Sequence, residues 1–317
     1  MQRNLNLIGQ GSSGAKLILI GEHAVVYNNP AIAIPFNGLK TTVEVFKSND
    51  ELTIDCFFHK GYLKDGSNII NGLKELIKHI LKRFNVNPYG LHFKITSDII
   101  SQRGLGSSAS VSVAMVRALF DTYGFDLSDE LLIELAMFAE KIHHTNPSGL
   151  DVYTMVYQKP IWFVKDQGFK VVDINFDGTI MILDSGMMSQ TRIAVEHVAT
   201  LFNHQELNLL EEFESLSTLT YQSYEALTNN DVDKLGVILN ESQTSLAKME
   251  LSNDTLNSLI NKAINLGALG AKLTGGGMGG CVIALIKNES EAKKIRKKLI
   301  NIGVSNVWIY PLKELSK

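Results

Sequence analysis

The spacing of hydrophobic positions changes along the chain, and this spacing predicts where strands and helices lie. In the N-terminal part, short apolar or β-branched runs favour strands. These runs are Lys16 to Ile20, Ala31 to Ile34, Thr41 to Phe46 and Leu52 to Asp55. Between Asn68 and Phe84 the apolar residues recur every three or four positions, which predicts an amphipathic helix.

The rest of the chain mixes the same two patterns in uneven order. Ser128 is a plausible N-cap, because Asp129 and Glu130 follow it in what would be the first helical turn. Helices are predicted over Ser107 to Tyr123, Ser128 to His143, most of Arg192 to Leu266, and Glu289 to Ile302. Strands are predicted over Leu91 to Ile99, Ile161 to Val164, Val171 to Ile174, Ile180 to Asp184, Cys281 to Ile286, and Val304 to Tyr310. This mixture is typical of an α+β fold.

Length and composition limit the number of domains and the kinds of partner that the protein can have. A chain of 317 residues is long enough for about two domains of ~150 residues each. A shift in composition near Thr179 predicts a boundary between residues 1–178 and 179–317. The net charge of −3 provides no long-range attraction to nucleic acid or to an anionic membrane.

The lack of a secretion signal and the small number of cysteines predict an intracellular protein. The N-terminus carries no apolar secretion segment, and the apolar runs are too short to span a bilayer. Cys56 and Cys281 could form one bridge but cannot make a disulfide framework, and free, buried thiols are expected. We therefore expect a soluble cytoplasmic protein without nucleic-acid or membrane partners.

Three glycine-rich stretches are candidate phosphate-binding loops, although glycine also serves ordinary turns. They are Gly9 to Gly14, Gly104 to Ala109, and Gly275 to Gly280. The first does not match the P-loop, because Ala15 precedes Lys16 and Leu17 stands where a magnesium-binding hydroxyl is needed.

The second stretch opens a predicted helix, and backbone N–H groups at a helix N-terminus bind anions. It is not a Rossmann fingerprint, because a helix continues to Tyr123 where a second strand is required. A well-capped helix start remains the alternative. The third stretch holds five glycines in six positions, which indicates either close packing against bare backbone or a loop between buried elements.

Three segments together resemble the motifs of the GHMP kinase family. They are Lys16 to Val25, with its Gly-Glu-His at 21–23, Arg103 to Ser110, and Lys272 to Cys281. A fourth segment, Glu140 to Asp151, is similar to the stretch E-x-x-I-H-G-N-P-S-G-x-D of the branch that phosphorylates mevalonate. It departs from that stretch at His143 and Thr145. Ser189 to Val195 resembles a Thr-Arg segment found on the substrate side of these kinases.

The resemblance implies a fold, two cofactors and a substrate. The fold would be two α+β domains, the first like ribosomal protein S5 domain 2 and the second ferredoxin-like. ATP would lie between them over the loop at 104–110, accompanied by Mg²⁺. The phosphoryl acceptor would be a small alcohol, mevalonate. The long helices after Arg192 could serve a homodimer interface or the core.

The resemblance also implies roles for individual residues. Asp151 would act as general base and Lys16 would stabilise charge beside it, whereas an N-cap and a solvated lysine are the alternatives. Ser108 and Glu140 would bind magnesium, although Glu140 could be a surface carboxylate. The substrate-side candidates are Glu22, His23 and Arg192. The nucleotide-binding candidates are Arg103, Gly104, Leu105, Gly106, Ser107, Ser108, Ala109, Ser110, Gly275, Gly276 and Gly277.

Two other functions remain open. One is a kinase of the same family that acts on phosphomevalonate, a sugar or homoserine. The other is a non-catalytic sensor that binds nucleotide or metabolite. Lys16 and Asp151 together argue against the sensor, because a binding protein needs no paired base and cation.

Overall fold

The computed structural model describes residues 6–143, 147–189, 191–204 and 209–316. His144, Thr145 and Asn146 of the fourth motif, and Gln190, lie outside the described residues. The helices are α1 (Asn71–Arg83), α2 (Ser107–Tyr123), α3 (Asp129–His143), α4 (Leu150–Tyr157), α5 (Thr191–His204), α6 (Leu209–Thr228), α7 (Val232–Lys248), α8 (Asp254–Asn265) and α9 (Glu289–Asn301). The strands are β1 (Leu7–Ile20), β2 (Ala31–Glu51), β3 (Thr53–Cys56), β4 (His59–Tyr62), β5 (Tyr89–Ser97), β6 (Ile161–Val164), β7 (Gly168–Val171), β8 (Thr179–Asp184), β9 (Gly270–Thr274), β10 (Cys281–Ile286) and β11 (Val307–Pro311).

The first of two compact units is drawn from the segment ending at Lys16, Leu39–Ile100 and Gly106–Gln158. Its strands follow the order β4-β3-β5-β2, with β3 parallel to β5 and the other neighbours antiparallel. Strand β1 also pairs with β2. Buried side chains from α1 to α4 join those of the strands in one continuous core. Burial of this apolar surface is the main force that stabilises the unit.

The first glycine-rich stretch forms part of β1, so the expectation of a loop there is wrong. Burial alternates from Gly9 to Ser13, as in a strand with one covered face. A Cβ atom at Gly11 would lie 2.3 Å from the Ala114 carbonyl oxygen and 2.3 Å from the Ala118 nitrogen. The glycine is therefore required because β1 packs against the backbone of α2.

Replacing Gly11 with alanine is expected to lower the free energy of unfolding by about 2–3 kcal/mol, because the added methyl group overpacks the contact with α2. The measurement is chemical denaturation of the purified variant. Ser12→Ala is the matched control, since Ser12 lies on the exposed side of the same strand. Equal stability of the two variants would contradict the packing role of Gly11.

The second unit is drawn from Leu17–Gly38, Ser101–Leu105 and the segment from Lys159 onward. Its four-stranded antiparallel sheet has the order β11-β8-β10-β9. Helices α5 to α8 lie between β8 and β9 in the chain, and α9 lies between β10 and β11. This is the βαββαβ arrangement of ferredoxin-like folds with additional helices. The expected ferredoxin-like C-terminal fold is confirmed.

Two predicted strand boundaries are wrong in this part of the chain. The runs at 31–34 and 41–46 belong to the single strand β2, and its start, Ala31 to Ala33, pairs with β6. Strand β7 ends at Val171, where a strand was predicted to begin. Val172 and Ile174 are nevertheless buried, and the Val172 nitrogen donates to the Pro160 carbonyl oxygen at 2.8 Å just beyond the paired residues, so the apolar alternation there reflects burial beyond the end of the strand.

The α+β class is confirmed, whereas the boundary between residues 178 and 179 stays a prediction. Among the described residues, no helix is both long and apolar enough to cross a membrane. Cys56 and Cys281 are free thiols; Cys281 is buried, but Cys56 is only half-buried.

Candidate active site

Lys16 and Asp151 form an ion pair in the first unit. The Lys16 Nζ lies 3.1 Å from the Asp151 Oδ1, and the exposed fractions of the side chains are 5% and 35%. Lys16 is therefore not a solvated surface lysine. Gly149 occupies the N-cap of α4 and Asp151 lies in the first turn, so the N-cap alternative for Asp151 is also wrong. The pair presents a carboxylate to solvent with a buried cation beside it.

The second glycine-rich stretch leads into α2 as the sequence predicts. Gly106 occupies the N-cap with φ 76° and provides no capping side chain. The helix N-terminus therefore offers backbone N–H groups and the positive end of the helix dipole, which favour an anion. Gly106 also packs against the ion pair, since a Cβ there would lie 3.2 Å from the Asp151 Oδ2.

Ser108 and Glu140, the predicted magnesium ligands, lie in direct contact. The Ser108 hydroxyl donates a hydrogen bond of 2.6 Å to the Glu140 Oε1. Glu140 is buried, so the interpretation as a surface carboxylate is wrong. One hydroxyl and one carboxylate are a donor set that suits Mg²⁺, which takes its remaining ligands from phosphates and water. Among the described residues, no three His, Cys, Asp or Glu side chains gather into a metal site.

Ser107 is half-buried at the start of α2, whereas three other side chains of this loop are not free to contact a ligand. Leu105, Ala109 and Ser110 are buried, and the Ser110 hydroxyl donates to the Ser13 carbonyl oxygen at 3.3 Å. These residues would act on a nucleotide through the backbone and the shape of the loop. The Arg103 guanidinium already has partners within the protein, since its Nε donates to the Asp184 Oδ1 at 2.8 Å. A second guanidinium nitrogen, Nη2, donates to the Gly186 carbonyl oxygen at 3.0 Å.

The third glycine-rich stretch forms a tight loop in the second unit. Gly275 has a φ of +81° and packs on Gly104, whose Cα would lie 3.0 Å from a Cβ at position 275. Gly104 and Gly275 therefore meet through bare backbone, which explains why both are glycine. The Ser189 hydroxyl donates to the Gly277 carbonyl oxygen at 3.2 Å, which holds the next turn of the loop.

Glu22 and His23 lie beside this loop, and both are buried. Glu22 forms a fully buried ion pair with Lys272. The His23 Nε2 lies 2.9 Å from the Gly276 carbonyl oxygen and therefore donates to it. Burial lowers the pKa of His23 to about 4, so the imidazole is neutral near pH 7. With Nε2 protonated, Nδ1 carries the free lone pair.

The backbone at His23 is strained, with φ 60° and ψ −48°. A residue other than glycine in a sparsely populated region of φ and ψ costs about 1–3 kcal/mol. Such strain persists only where the surrounding contacts fix the conformation.

Arg192 does not join the other candidates. Its side chain is 84% exposed and lies 3.7 Å from Glu196 on the same helix, α5. The first residue of that helix, Thr191, packs against Gly276, since a Cβ at position 276 would lie 2.8 Å from the Thr191 Cα. Arg192 thus extends from a helix whose start contacts the third loop.

The sequence interpretation missed Lys272, Asp184 and Ser189. Lys272 and Ser189 belong to segments that matched family motifs, but a lysine in an apolar strand is usually exposed at one end, so the sequence carries no signal of a buried pair. Asp184 carried no motif signal, and its bond to Arg103 joins positions far apart in the chain.

Comparisons with known proteins identify the family of the chain. Residues 71–159 match the GHMP kinases N terminal domain, and residues 223–305 match the GHMP kinases C terminal domain. A mevalonate kinase of Aeropyrum pernix is 28% identical over 296 residues, which cover 90% of both chains.

Solved structures show the same likeness across almost the whole chain. The mevalonate kinase of Staphylococcus aureus MRSA252 is 31% identical, with a TM-score of 0.73 and coverage of 96% of this chain and 99% of that one. The L. major mevalonate kinase in complex with R-mevalonate is 26% identical, with a TM-score of 0.82 and 95% coverage of both chains. The chain belongs to the GHMP kinase family.

Proposed function

We propose that the protein transfers the γ-phosphoryl group of ATP to the primary hydroxyl of mevalonate and releases ADP and 5-phosphomevalonate. The observation that carries this proposal is the Lys16–Asp151 pair, with its partly exposed carboxylate beside a buried cation. Its proximity to the N-terminus of α2, through Gly106, supports transfer from a bound phosphate. The likeness to mevalonate kinases supports mevalonate as the acceptor.

Asp151 accepts the proton of the acceptor hydroxyl as the new oxygen–phosphorus bond forms and the bond to ADP breaks. Lys16 stabilises the negative charge that develops on the hydroxyl oxygen and on the transferring phosphoryl group. Phosphoryl transfer needs positioning and charge neutralisation more than covalent chemistry, and these two side chains provide both.

Ser108 and Glu140 are proposed to hold Mg²⁺, which neutralises phosphate charge when bound. The N-terminus of α2 is proposed to bind the nucleotide phosphates through backbone N–H groups, and the loop at 275–277 offers backbone N–H groups of the same kind within the second unit. The tight packing of both loops, and the absence of side chains at their glycines, let phosphates approach the backbone closely.

Replacing Glu140 with glutamine is expected to raise the Mg²⁺ concentration that gives half-maximal activity by roughly tenfold or more, because an anionic ligand is lost. The measurement is initial rate against Mg²⁺ at fixed ATP. Glu134→Gln is the matched control on the same helix, since Glu134 is exposed and pairs with Arg83. A variant with a lower rate but an unchanged Mg²⁺ dependence would limit Glu140 to fixing the start of α2.

On the acceptor side, His23 and Arg192 are the proposed contacts. The free lone pair of the His23 Nδ1 accepts a hydrogen bond from an acceptor hydroxyl. Arg192 is suited to the mevalonate carboxylate, because a guanidinium binds carboxylates with two parallel hydrogen bonds.

The test is ADP release from Mg-ATP with mevalonate, phosphomevalonate, galactose or homoserine as the acceptor. We expect strong turnover with mevalonate alone. Turnover with one of the other acceptors would retain the kinase mechanism and reject the substrate. No turnover with any of the four would favour an untested alcohol or the non-catalytic sensor.

A further inference from the structure

A buried ion pair lies in the second unit and is not used by the proposed chemistry. It joins Glu22 to Lys272, and both side chains are fully excluded from solvent. The Lys272 Nζ also donates to the Leu273 carbonyl oxygen at 2.7 Å. Desolvation of two charges opposes folding, and a well-packed apolar pair is often no less stable. Stability alone therefore gives a weak reason for an ion pair at this place.

The pair joins the turn at Gly21–His23 to β9, the strand that leads into the third glycine-rich loop. Two further bonds lie nearby. The Thr274 hydroxyl donates to the carbonyl oxygen of Ile18 in β1 at 2.8 Å, and the His23 Nε2 donates to the Gly276 carbonyl oxygen at 2.9 Å. The turn is thus bonded both to β9 and to the loop that follows it.

His23 lies next to Glu22 and has the strained backbone described above. Strain at a residue other than glycine is retained where the surrounding contacts determine the conformation. Here the Ala24 nitrogen donates to the Glu22 carbonyl oxygen at 2.7 Å across His23, the Glu22 side chain pairs with Lys272, and the imidazole is bonded to Gly276. The ion pair is therefore one of the contacts that set the direction of the imidazole.

We propose that Glu22 and Lys272 form a positioning pair, which holds the His23 imidazole in the orientation that binds the acceptor alcohol. Neither side chain contacts the substrate, because both are completely buried. This inference rests on the proposed function, and it replaces the expected direct contact between Glu22 and substrate.

The apolar double variant Glu22→Leu/Lys272→Met separates positioning from stability. Each single substitution leaves one buried charge without its partner and is expected to destabilise the protein. The double variant removes both charges at similar volume, so its melting temperature is expected within about 5 °C of the wild type. Its KM for mevalonate is nevertheless expected to rise about tenfold or more, because His23 is no longer held.

The KM for ATP is expected to change less than about twofold in the double variant. The third loop keeps its other attachments, since the Leu273 nitrogen donates to the Gln243 side chain and the Met278 nitrogen to the Leu251 carbonyl oxygen. The matched control is Glu289→Gln/Lys293→Met, which removes an exposed pair on α9 and is expected to leave both KM values unchanged.

A measurement on His23 tests the same proposal without turnover. The wild-type His23 Nε2 donates to the Gly276 carbonyl oxygen, which fixes the tautomer of the ring. Nitrogen NMR of the imidazole is expected to show loss of this single Nε2–H tautomer in the double variant, because the ring is no longer held against Gly276. If wild-type protein does not phosphorylate mevalonate, the proposed function fails, and this tautomer measurement still decides the role of the pair.

A stable double variant with a wild-type KM for mevalonate and an unchanged His23 tautomer would overturn the proposal. If the double variant does not fold, Glu22→Asp provides the test, because the shorter carboxylate keeps a negative charge opposite Lys272 but cannot hold the turn at the same distance. A raised KM for mevalonate in Glu22→Asp supports the positioning role, and an unchanged KM rejects it.

Discussion

Replacing Asp151 with asparagine is expected to lower kcat for mevalonate phosphorylation roughly 100-fold or more, while nucleotide binding persists. Asparagine keeps the shape of the side chain but cannot accept the hydroxyl proton, and general-base catalysis contributes about 10²–10⁴-fold. The measurement pairs steady-state kinetics with ATP titration by calorimetry. The fold should be retained, because Asp151 is partly exposed and does not cap α4.

The matched control is Asp129→Asn, since Asp129 lies in the first turn of α3 and is exposed. Its kcat is expected to stay within about twofold of the wild type, as for most surface substitutions. Unchanged turnover in Asp151→Asn would remove Asp151 as the base. Loss of ATP binding in that variant would instead assign it to the nucleotide site.

Lys16→Met is expected to lower kcat by about 100- to 1000-fold, because a preorganised charge that stabilises the transition state is removed from a buried position. Methionine fills a similar volume, so the melting temperature should change little. Steady-state kinetics with ATP or mevalonate as the varied substrate separates an effect on kcat from an effect on KM. The loss should fall mainly on kcat.

Lys60→Met is the corresponding control, because Lys60 forms an exposed pair with Asp55 at 2.7 Å. Its kcat should match the wild type. A Lys16→Met variant with normal kcat and a raised KM for ATP would show that Lys16 binds the ground state of the nucleotide and does not act in the transition state.

The sequence was most informative where helical periodicity and glycine coincided. Helix α2 spans Ser107–Tyr123 as predicted, since Gly106 and Gly124 mark its two ends with left-handed backbone. Helix α9 ends one residue before its predicted end. Local signals suffice for such helices, because their ends are determined by residues within a few positions of them.

Long strands were harder to predict, because their boundaries depend on partners elsewhere in the chain. Strand β1 runs through Gly9 and Gly11, whose glycines resemble a loop until α2 is seen to pack against them. Strand β2 is continuous from Ala31 to Glu51 although polar residues interrupt its apolar pattern. Backbone pairing compensates for weak local preference in both strands.

The candidate site was likewise predictable where its residues lie in sequence motifs, and not where they depend on partners far away in the chain. The motifs indicated Lys16 and Asp151, and Ser108 and Glu140, and the structure brings each of these pairs into contact. The structure places Arg103 and Glu22 in ion pairs with Asp184 and Lys272. These partners lie 81 and 250 positions away in the sequence, so no local pattern could pair them.

The most direct test of the proposed activity is the identity of the product. Purified protein is incubated with Mg-ATP and mevalonate, and the product is examined by phosphorus NMR and mass spectrometry. We predict one phosphate monoester whose phosphorus couples to the two protons of the neighbouring methylene group, formed in equal amount to ADP. Release of inorganic phosphate without this ester, or no consumption of ATP in the presence of mevalonate, would contradict the account.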